Sequence, residues 1–396
     1  MPSEALVHLL GKRSRLIHHF IHNSPLTRAD IMAISGASQP TVTQWLRELI
    51  DAEVVHEVGI SPQGSALGRP RVLLELNPEA AWVGAMHLTS VSAEAGLVNL
   101  RGEVVASEAM TFTSQDMAYS RELFHILIKK IATWVRERKI ADDQILGIGV
   151  ATSGPVNNER GTVASYAPVD GAAGVTRWER TDFPIRDYLA ASSPWPFYME
   201  TNAWAIALSE RWLGTGYKNF VLVHVSEGVA AGTVLNHQLY RGNGLAGELH
   251  PVSIVPENAV TLAKDLRYRL YDIVGRRHIL ERLHTFREYE QMRSLAQVIA
   301  AARQGDSQVL AILRECADAL AQFCIPVANL LDLDAFILSG PIFQIPEIIG
   351  YMQQRIAQAT FSALMEGRAP LVIPSTFGAN SGLMGAAGLV FDQVFN

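Results

Sequence analysis

The stretch "METNAWAIALSERWLGTG", Met199 to Gly216, has the pattern of a strand end, a turn and an amphipathic helix, with Asn202 at the turn. A carboxylate at such a turn could take a proton from a substrate hydroxyl. An amide can bind that hydroxyl as donor or acceptor but cannot act as its base. Asparagine is also an ordinary turn or N-cap residue. A second chemically capable set lies near the N-terminus, where Gln39, Thr41, Thr43, Gln44 and Arg47 fall within one short segment. These residue types read base edges and phosphates in a DNA major groove. The two cysteines, Cys316 and Cys324, sit eight apart on an expected helix and read as core residues, so they support neither a disulfide framework nor a Cys-rich metal site.

The elements that would position the N-terminal set are legible. "PLTRADIMAISGAS" predicts a short helix opened by Thr27, with Asp30 as its capping-box partner and Gly36 as its end. A second helix starts at Ser38 as N-cap, with Pro40 in the first turn, where a missing N–H costs little. Val42, Trp45, Leu46 and Leu49 follow 3/4 spacing and define a buried face, leaving Gln39, Thr43 and Arg47 on another. Helix, Gly-containing turn, helix is a helix-turn-helix layout. "EVVHEVGI" and "RPRVLLELN" read as two strands that complete a winged helix, with Arg69 and Arg71 at the wing, where they could reach backbone or minor groove. Against DNA binding stands the charge: residues 1–75 hold seven Lys/Arg and seven Asp/Glu, so there is no broad positive field.

A chain of 396 residues implies more than one core. With 48% apolar and 18% charged residues it reads as globular, and its net charge of −6 gives no global nucleic-acid signature. Apolar runs are too short for a membrane span, and the start lacks a signal-peptide layout, so a cytoplasmic location is expected.

Beyond Trp82 strands and helices alternate. "WVGAMHLTSVSAEAGLVNL" and "RGEVVASEAMTF" predict a meander turning at Arg101-Gly102, and "NFVLVHVSEGVAAGTVLNHQLYRG" a hairpin with a Gly-bearing turn. "ILGIGVATSGPV" and "AFILSGPI" read as buried strands, and "FGANSGLMGAAGLVFDQVF" as a closely packed helix. Two similar α/β halves are expected. Taken in order with "METNAWAIALSERWLGTG" and "GNGLAGELH", these segments resemble the ROK family of repressors, open reading frames and sugar kinases, over nearly the whole chain. With the winged helix in front, the chain is similar to the regulator branch. The resemblance implies an α/β fold: an N-terminal winged helix-turn-helix (1–78), then a two-lobed actin/Hsp70-like, ribonuclease-H-like sugar-kinase fold. The first lobe would span 79–198, completed by 379–396, and the second 199–378, with a sugar bound between them.

It also implies site residues. Where ROK kinases carry Glu-Asn-Asp-Ala, with Asp as the base, this chain has Glu200, Thr201, Asn202 and Ala203. Thr201, Asn202, Glu248 and His250 are the expected sugar contacts. The kinases' Asp-Gly-Gly-Thr-like turn is replaced within "MHLTSVSAEA", which has neither Asp nor Gly at that place. Their Gly-Thr-Gly-Ile-Gly-Ala-Gly-like loop is Ser226 to Gly232 here, with Glu227 where Thr would face phosphate. Two unit charges about 4 Å apart cost roughly 1–4 kcal/mol at effective dielectrics of 80 to 20. No catalytic residue, and no kinase activity, is therefore expected. The family's zinc motif, Gly-Glu-Ile-Gly-His with a following Cys-rich loop, is here "GELHPVSIVPENAVT": His250 comes one place early and no cysteine follows, so neither metal nor cofactor is expected. On its own His250 reads as a hydrogen-bonded core or cleft histidine. A helical, Arg-rich insert follows, whose Arg267, Arg269, Arg276 and Arg277 read as a solvated face or a basic patch. The expected partners are a double-stranded DNA operator, a sugar or sugar phosphate effector, and a second copy of the chain. An active kinase with an appended DNA module, and a regulator switched by a protein partner, are the alternatives.

Overall fold

The computed structural model describes residues 2–60, 71–112, 120–170, 176–257, 260, 262, 263 and 266–396, with the side chains of 165–170 and 176–180 left aside. The chain divides into two compact units, 1–201 with 383–396, and 202–382.

The first unit opens with four helices, Glu4–Lys12, Ser14–Asn23, Arg28–Ser35 and Gln39–Asp51. A three-stranded antiparallel sheet accompanies them, in the order Leu26–Thr27, Val72–Leu76, Val55–Ile60. Helix, turn, helix and two paired strands thus follow one another as the residue pattern predicts. Gly11 sits where a Cβ would lie 2.8 Å from the Val394 carbonyl, so the first helix lies close against the C-terminal helix of the same unit.

The rest of this unit is built on a five-stranded sheet, ordered Phe197–Thr201, Ile145–Thr152, Trp82–Leu88, Ser92–Asn99, Val104–Thr111. The first three strands run parallel and the last three form an antiparallel meander. The meander turns at Gly102, with φ +84, which suits glycine. Ile145–Thr152 is buried along its whole length, as a strand covered on both faces requires. One face packs on Arg121–Glu137, where Ile131 meets Gly84. On the other, a Cβ at Gly149 would stand 1.7 Å from the Ala386 carbonyl, so only glycine lets the helix Ser381–Phe395 lie this close.

The second unit repeats the strand pattern. Its sheet runs Leu371–Pro374, Ala335–Ser339, Phe220–Val225, Val229–Leu235, Gln238–Tyr240, again two parallel and then two antiparallel pairings. The predicted hairpin makes two turns. The first is Ser226 to Gly228; the second is Asn236-His237, both at positive φ, which matches the twist of a tight hairpin. Asn202–Trp212 covers one face, with Ala203 and Ala207 against Gly232. The long helix Ser307–Leu331 covers the other and buries both Cys316 and Cys324, whose thiol pKa values burial pushes up. Among the described residues, the insert's helices are Leu270–Val274, Arg276–Leu283 and Leu295–Arg303.

Candidate functional site

Thr27 caps the helix Arg28–Ser35 in a full capping box: its hydroxyl accepts from the Asp30 amide at 3.3 Å, and Asp30 accepts from the Thr27 amide at 2.8 Å. The Thr27 hydroxyl also donates to Asp30 Oδ2 at 2.7 Å; this bond, the one from the Thr27 amide and, more weakly, the charge of Arg71 hold the Asp30 carboxyl below its ordinary range. Gly36 ends the helix in the left-handed conformation. Ser38 is the N-cap of the next helix by backbone geometry, but its hydroxyl bonds Thr41 Oγ1 at 2.8 Å instead of capping an amide. Val42, Leu46 and Leu49 are buried. Trp45 departs from expectation: it is half-buried, beneath the Arg13 guanidinium 5.2 Å from its ring, and Arg13 Nε in turn donates to Glu48 Oε2 at 3.0 Å. This clasp ties the helix Gln39–Asp51 to the helices before it. Gln39, Gln44 and Arg47 are exposed, while Thr41 and Thr43 are half-buried. Arg71 is exposed at the foot of Val72–Leu76; Arg69 lies outside the described residues.

In the second unit Asn202 is the first residue of Asn202–Trp212 and is 5% exposed. Its Oδ1 is buried without a hydrogen-bond partner among the described residues. An unsatisfied buried oxygen costs about 1–3 kcal/mol, which a hydroxyl donor would relieve. Two residues on, Trp204 Nε1 donates to the Ala246 carbonyl at 2.8 Å. That bond ties the start of this helix to the strip Gly247 to His250. The strip bonds to Val229–Leu235: the Ala231 amide donates to the Gly247 carbonyl at 2.8 Å, and Glu248 bridges to Ala230. Gly247, at φ +87, leaves room for the Ala231 carbonyl 2.0 Å from where a Cβ would stand. Glu248 is part-exposed, 3.6 Å from His250 Nδ1. His250 is exposed rather than a core residue, and its ring lies tilted against that of Tyr271, with centroids 4.9 Å apart. Asn202, Glu248 and His250 thus belong to one neighbourhood. Thr201, half-buried, ends the strand Phe197–Thr201 in the first unit, and its amide is taken by Glu200 Oε1 at 3.0 Å.

Both turns that stand in place of phosphate loops are internally satisfied. In the first unit, Thr89 Oγ1 accepts from the Val91 amide at 3.2 Å and the Ser92 amide at 2.9 Å. These are the donors with which such a turn would cradle an anion. In the second unit, Glu227 is held by Arg276, whose Nε lies 2.8 Å from Oε1 and donates to Oε2 at 2.9 Å. The His250 imidazole fills the space over the turn, with Nε2 2.5 Å from where a Cβ on Gly228 would stand. Arg276 is therefore not part of a solvated face; Arg277 is exposed and pairs with Glu281 at 2.7 Å. Sequence reasoning missed the pairing of Arg276 with Glu227 and the part played by Thr89. Thr89 had a signal, a threonine at the head of a turn.

The residues beside the strip do not fit zinc. Pro251 stands at the ligand position, and both cysteines are buried on Ser307–Leu331. Among the described residues no three His, Cys, Asp or Glu side chains gather as a metal site.

Residues 89–393 match the model of the ROK family. The chain is 24% identical over 390 residues to a xylose repressor of Bacillus subtilis, covering 96% of this chain and 94% of the relative. It is 28% identical over 302 residues to an N-acetylmannosamine kinase of Yersinia pseudotuberculosis, covering 74% of this chain and 94% of the relative. Among solved structures it is similar to a ROK family transcriptional regulator described as a homologue of the E. coli Mlc protein, with a TM-score of 0.68 and 20% identity over 99% of this chain and 97% of the other. It also resembles a ROK hexokinase from Thermus thermophilus, with a TM-score of 0.57 and 21% identity, over 79% of this chain and 99% of the other.

Proposed function

The chain belongs to the ROK family, and from that premise we propose that it is a sugar-responsive transcriptional repressor whose sugar-kinase-like part binds but does not phosphorylate. The observation that carries the reading is the helix Gln39–Asp51. Its apolar side is buried by Val42, Leu46 and Leu49, while Gln39, Gln44 and Arg47 are exposed and Thr43 lies between them. Within a winged helix this is the recognition helix, and Arg47 is the residue best suited to a bidentate contact with guanine. Arg69 and Arg71 belong to the wing and act through phosphate or minor groove. A neutral formal charge over residues 1–75 leaves little non-specific attraction, so a homodimer reading two half-sites supplies the missing affinity. The near full-length match to a xylose repressor supports the regulator branch, while the match to a kinase covers 74% of the chain.

The sugar contacts of the second unit are Asn202, Glu248 and His250. Asn202 supplies an unpartnered oxygen rather than a base, so general-base assistance of roughly 10²–10⁴-fold is missing. Thr89 takes up the Val91 and Ser92 amides, and Glu227 takes up the Arg276 guanidinium, groups that would otherwise hold a transferred phosphate. A ligand that favours one of two states of the protein would shift its DNA affinity by its differential affinity for them. No described helix is long and apolar enough to cross a membrane, in keeping with work on DNA in the cytoplasm. The test is selection of bound sequences from random DNA by the full chain, followed by titration with D-xylose, D-glucose and their phosphate esters. Enrichment of a motif, and its release by one of these sugars, is expected. Binding without sequence preference overturns the reading.

A further inference from the structure

We propose that Glu227 is a built-in anion that makes the second unit select an uncharged sugar and reject its phosphate ester. The inference rests on the sugar-sensing reading and narrows the effector to one chemical class. Three observations lead to it. First, the turn Ser226 to Gly228 adjoins the proposed sugar strip: Glu248 bridges to Ala230, and His250 Nε2 lies over Gly228. A phosphoryl group carried by a ligand on that strip would come close to Glu227. Second, the two arginines that open the helix Arg276–Leu283 already hold carboxylates. Arg276 is bound to Glu227 through Nε and to the Arg293 carbonyl through Nη1 at 3.2 Å, and Arg277 is bound to Glu281. Third, the strip brings a second anion of its own, Glu248, 3.6 Å from Nδ1 of the same His250 ring that lies over Gly228.

The Glu227 carboxylate does for Arg276 what a bound phosphate would do. It is tethered to the same chain, so it competes at a high effective concentration. A phosphate, carrying about −1.5 to −2 charge, must either displace it or stand beside it. Specificity of this kind comes from a repulsive element against the wrong ligand. A neutral sugar meets no such element, because its hydroxyls donate to a carboxylate and either donate to or accept from an imidazole or an amide.

The test uses the full-length protein and calorimetric titration at matched ionic strength. The probes are inorganic pyrophosphate, D-xylose, D-glucose, xylose 5-phosphate and glucose 6-phosphate. Wild type is expected to bind no pyrophosphate, and to bind whichever sugar it accepts at least tenfold more tightly than that sugar's phosphate ester. Glu227→Ala frees Arg276 and is expected to gain pyrophosphate binding by at least tenfold; Glu227→Ala with Arg276→Met is expected to lose that gain. Melting curves establish that each variant is folded. A wild-type protein that binds pyrophosphate, or that binds a sugar phosphate as tightly as the parent sugar, overturns the proposal, as does a folded Glu227→Ala that gains nothing. If no sugar of either kind binds, the sugar-sensing reading fails, while the pyrophosphate arm still decides the role of Glu227. If Glu227→Ala does not fold, the wild-type comparison decides.

Discussion

Glu210 is fully buried on Asn202–Trp212 and fastens the far end of that helix to the turn at Ser375 and Thr376. Its carboxylate accepts from Ser375 Oγ at 2.7 Å, the Thr376 amide at 2.8 Å and Thr376 Oγ1 at 2.9 Å. Glu210→Ala strips the acceptor from all three. The Thr376 amide cannot turn elsewhere, so it carries a cost of about 1–3 kcal/mol. The hydroxyls re-aim in part, Ser375 toward Ser381 Oγ at 3.1 Å, and add about 1 kcal/mol together with the lost packing. A loss of roughly 2–4 kcal/mol follows, which for a unit of 150–250 residues is about 4–16 °C in melting temperature. Glu210→Gln keeps an acceptor for the Thr376 amide but turns its NH2 toward other donors, so it costs less than Glu210→Ala by that amide's share of about 1–3 kcal/mol. The two variants also separate by pH. Burial raises the Glu210 pKa above its ordinary 4.5, against the opposing bonds from Ser375, Thr376 and Thr215. A carboxyl raised by folding binds more protons folded than unfolded between its two pKa values, so stability falls as pH rises through that window. Wild type should therefore lose stability relative to Glu210→Gln from about pH 4.5 upward, until the folded-state pKa is passed. Scanning calorimetry of both variants from pH 4.5 to 8 is the assay. Equal destabilisation by Gln and Ala, or wild type gaining on Gln as pH rises, refutes the reasoning.

Because Asn202 Oδ1 has no partner among the described residues, Asn202→Ala should change unliganded melting temperature by no more than a few degrees, yet remove the stabilisation produced by an effector; thermal shift with and without D-xylose or D-glucose tests both halves. Gly247→Ala places a Cβ 2.0 Å from the Ala231 carbonyl at φ +87, so the strip must move, and effector binding should fall at least tenfold in a calorimetric titration. Arg47→Ala should cost about 1–3 kcal/mol of discrimination at one base position in anisotropy titrations. Arg71→Ala should weaken all sequences alike and flatten the salt dependence by about one unit of slope.

Local signals were the readable part. The Thr27–Asp30 box, the Gly36 stop, the Gly102 turn and the strand-to-helix passage at Asn202 depend on neighbours within a few residues, and each formed as its sequence predicts. Ser38 and Trp45 went differently because a competing partner won: the Thr41 hydroxyl for one, the Arg13 guanidinium for the other. The pairing of Glu227 with Arg276 spans 49 positions and has no local signature, so Glu227 read as a bare charge and Arg276 as one arginine among several. The same holds for Trp204 and Ala246, 42 apart, which bring Asn202 and Glu248 into one neighbourhood. Buried satisfaction of polar groups is a property of the packed chain, and only the spacing of apolar residues announces it in advance.

The most direct test of a sugar-sensing repressor that has given up phosphoryl transfer is a single titration. A DNA fragment selected from random sequence is bound by the full-length protein in the presence of ATP and magnesium, and D-xylose or D-glucose is added while anisotropy and sugar phosphate are followed together. The expected result is sequence-specific binding that weakens at least tenfold with one sugar, with no phosphorylated sugar formed. Sugar phosphate accumulating at a rate that Asn202→Ala abolishes, or DNA binding with no sequence preference, would contradict the account.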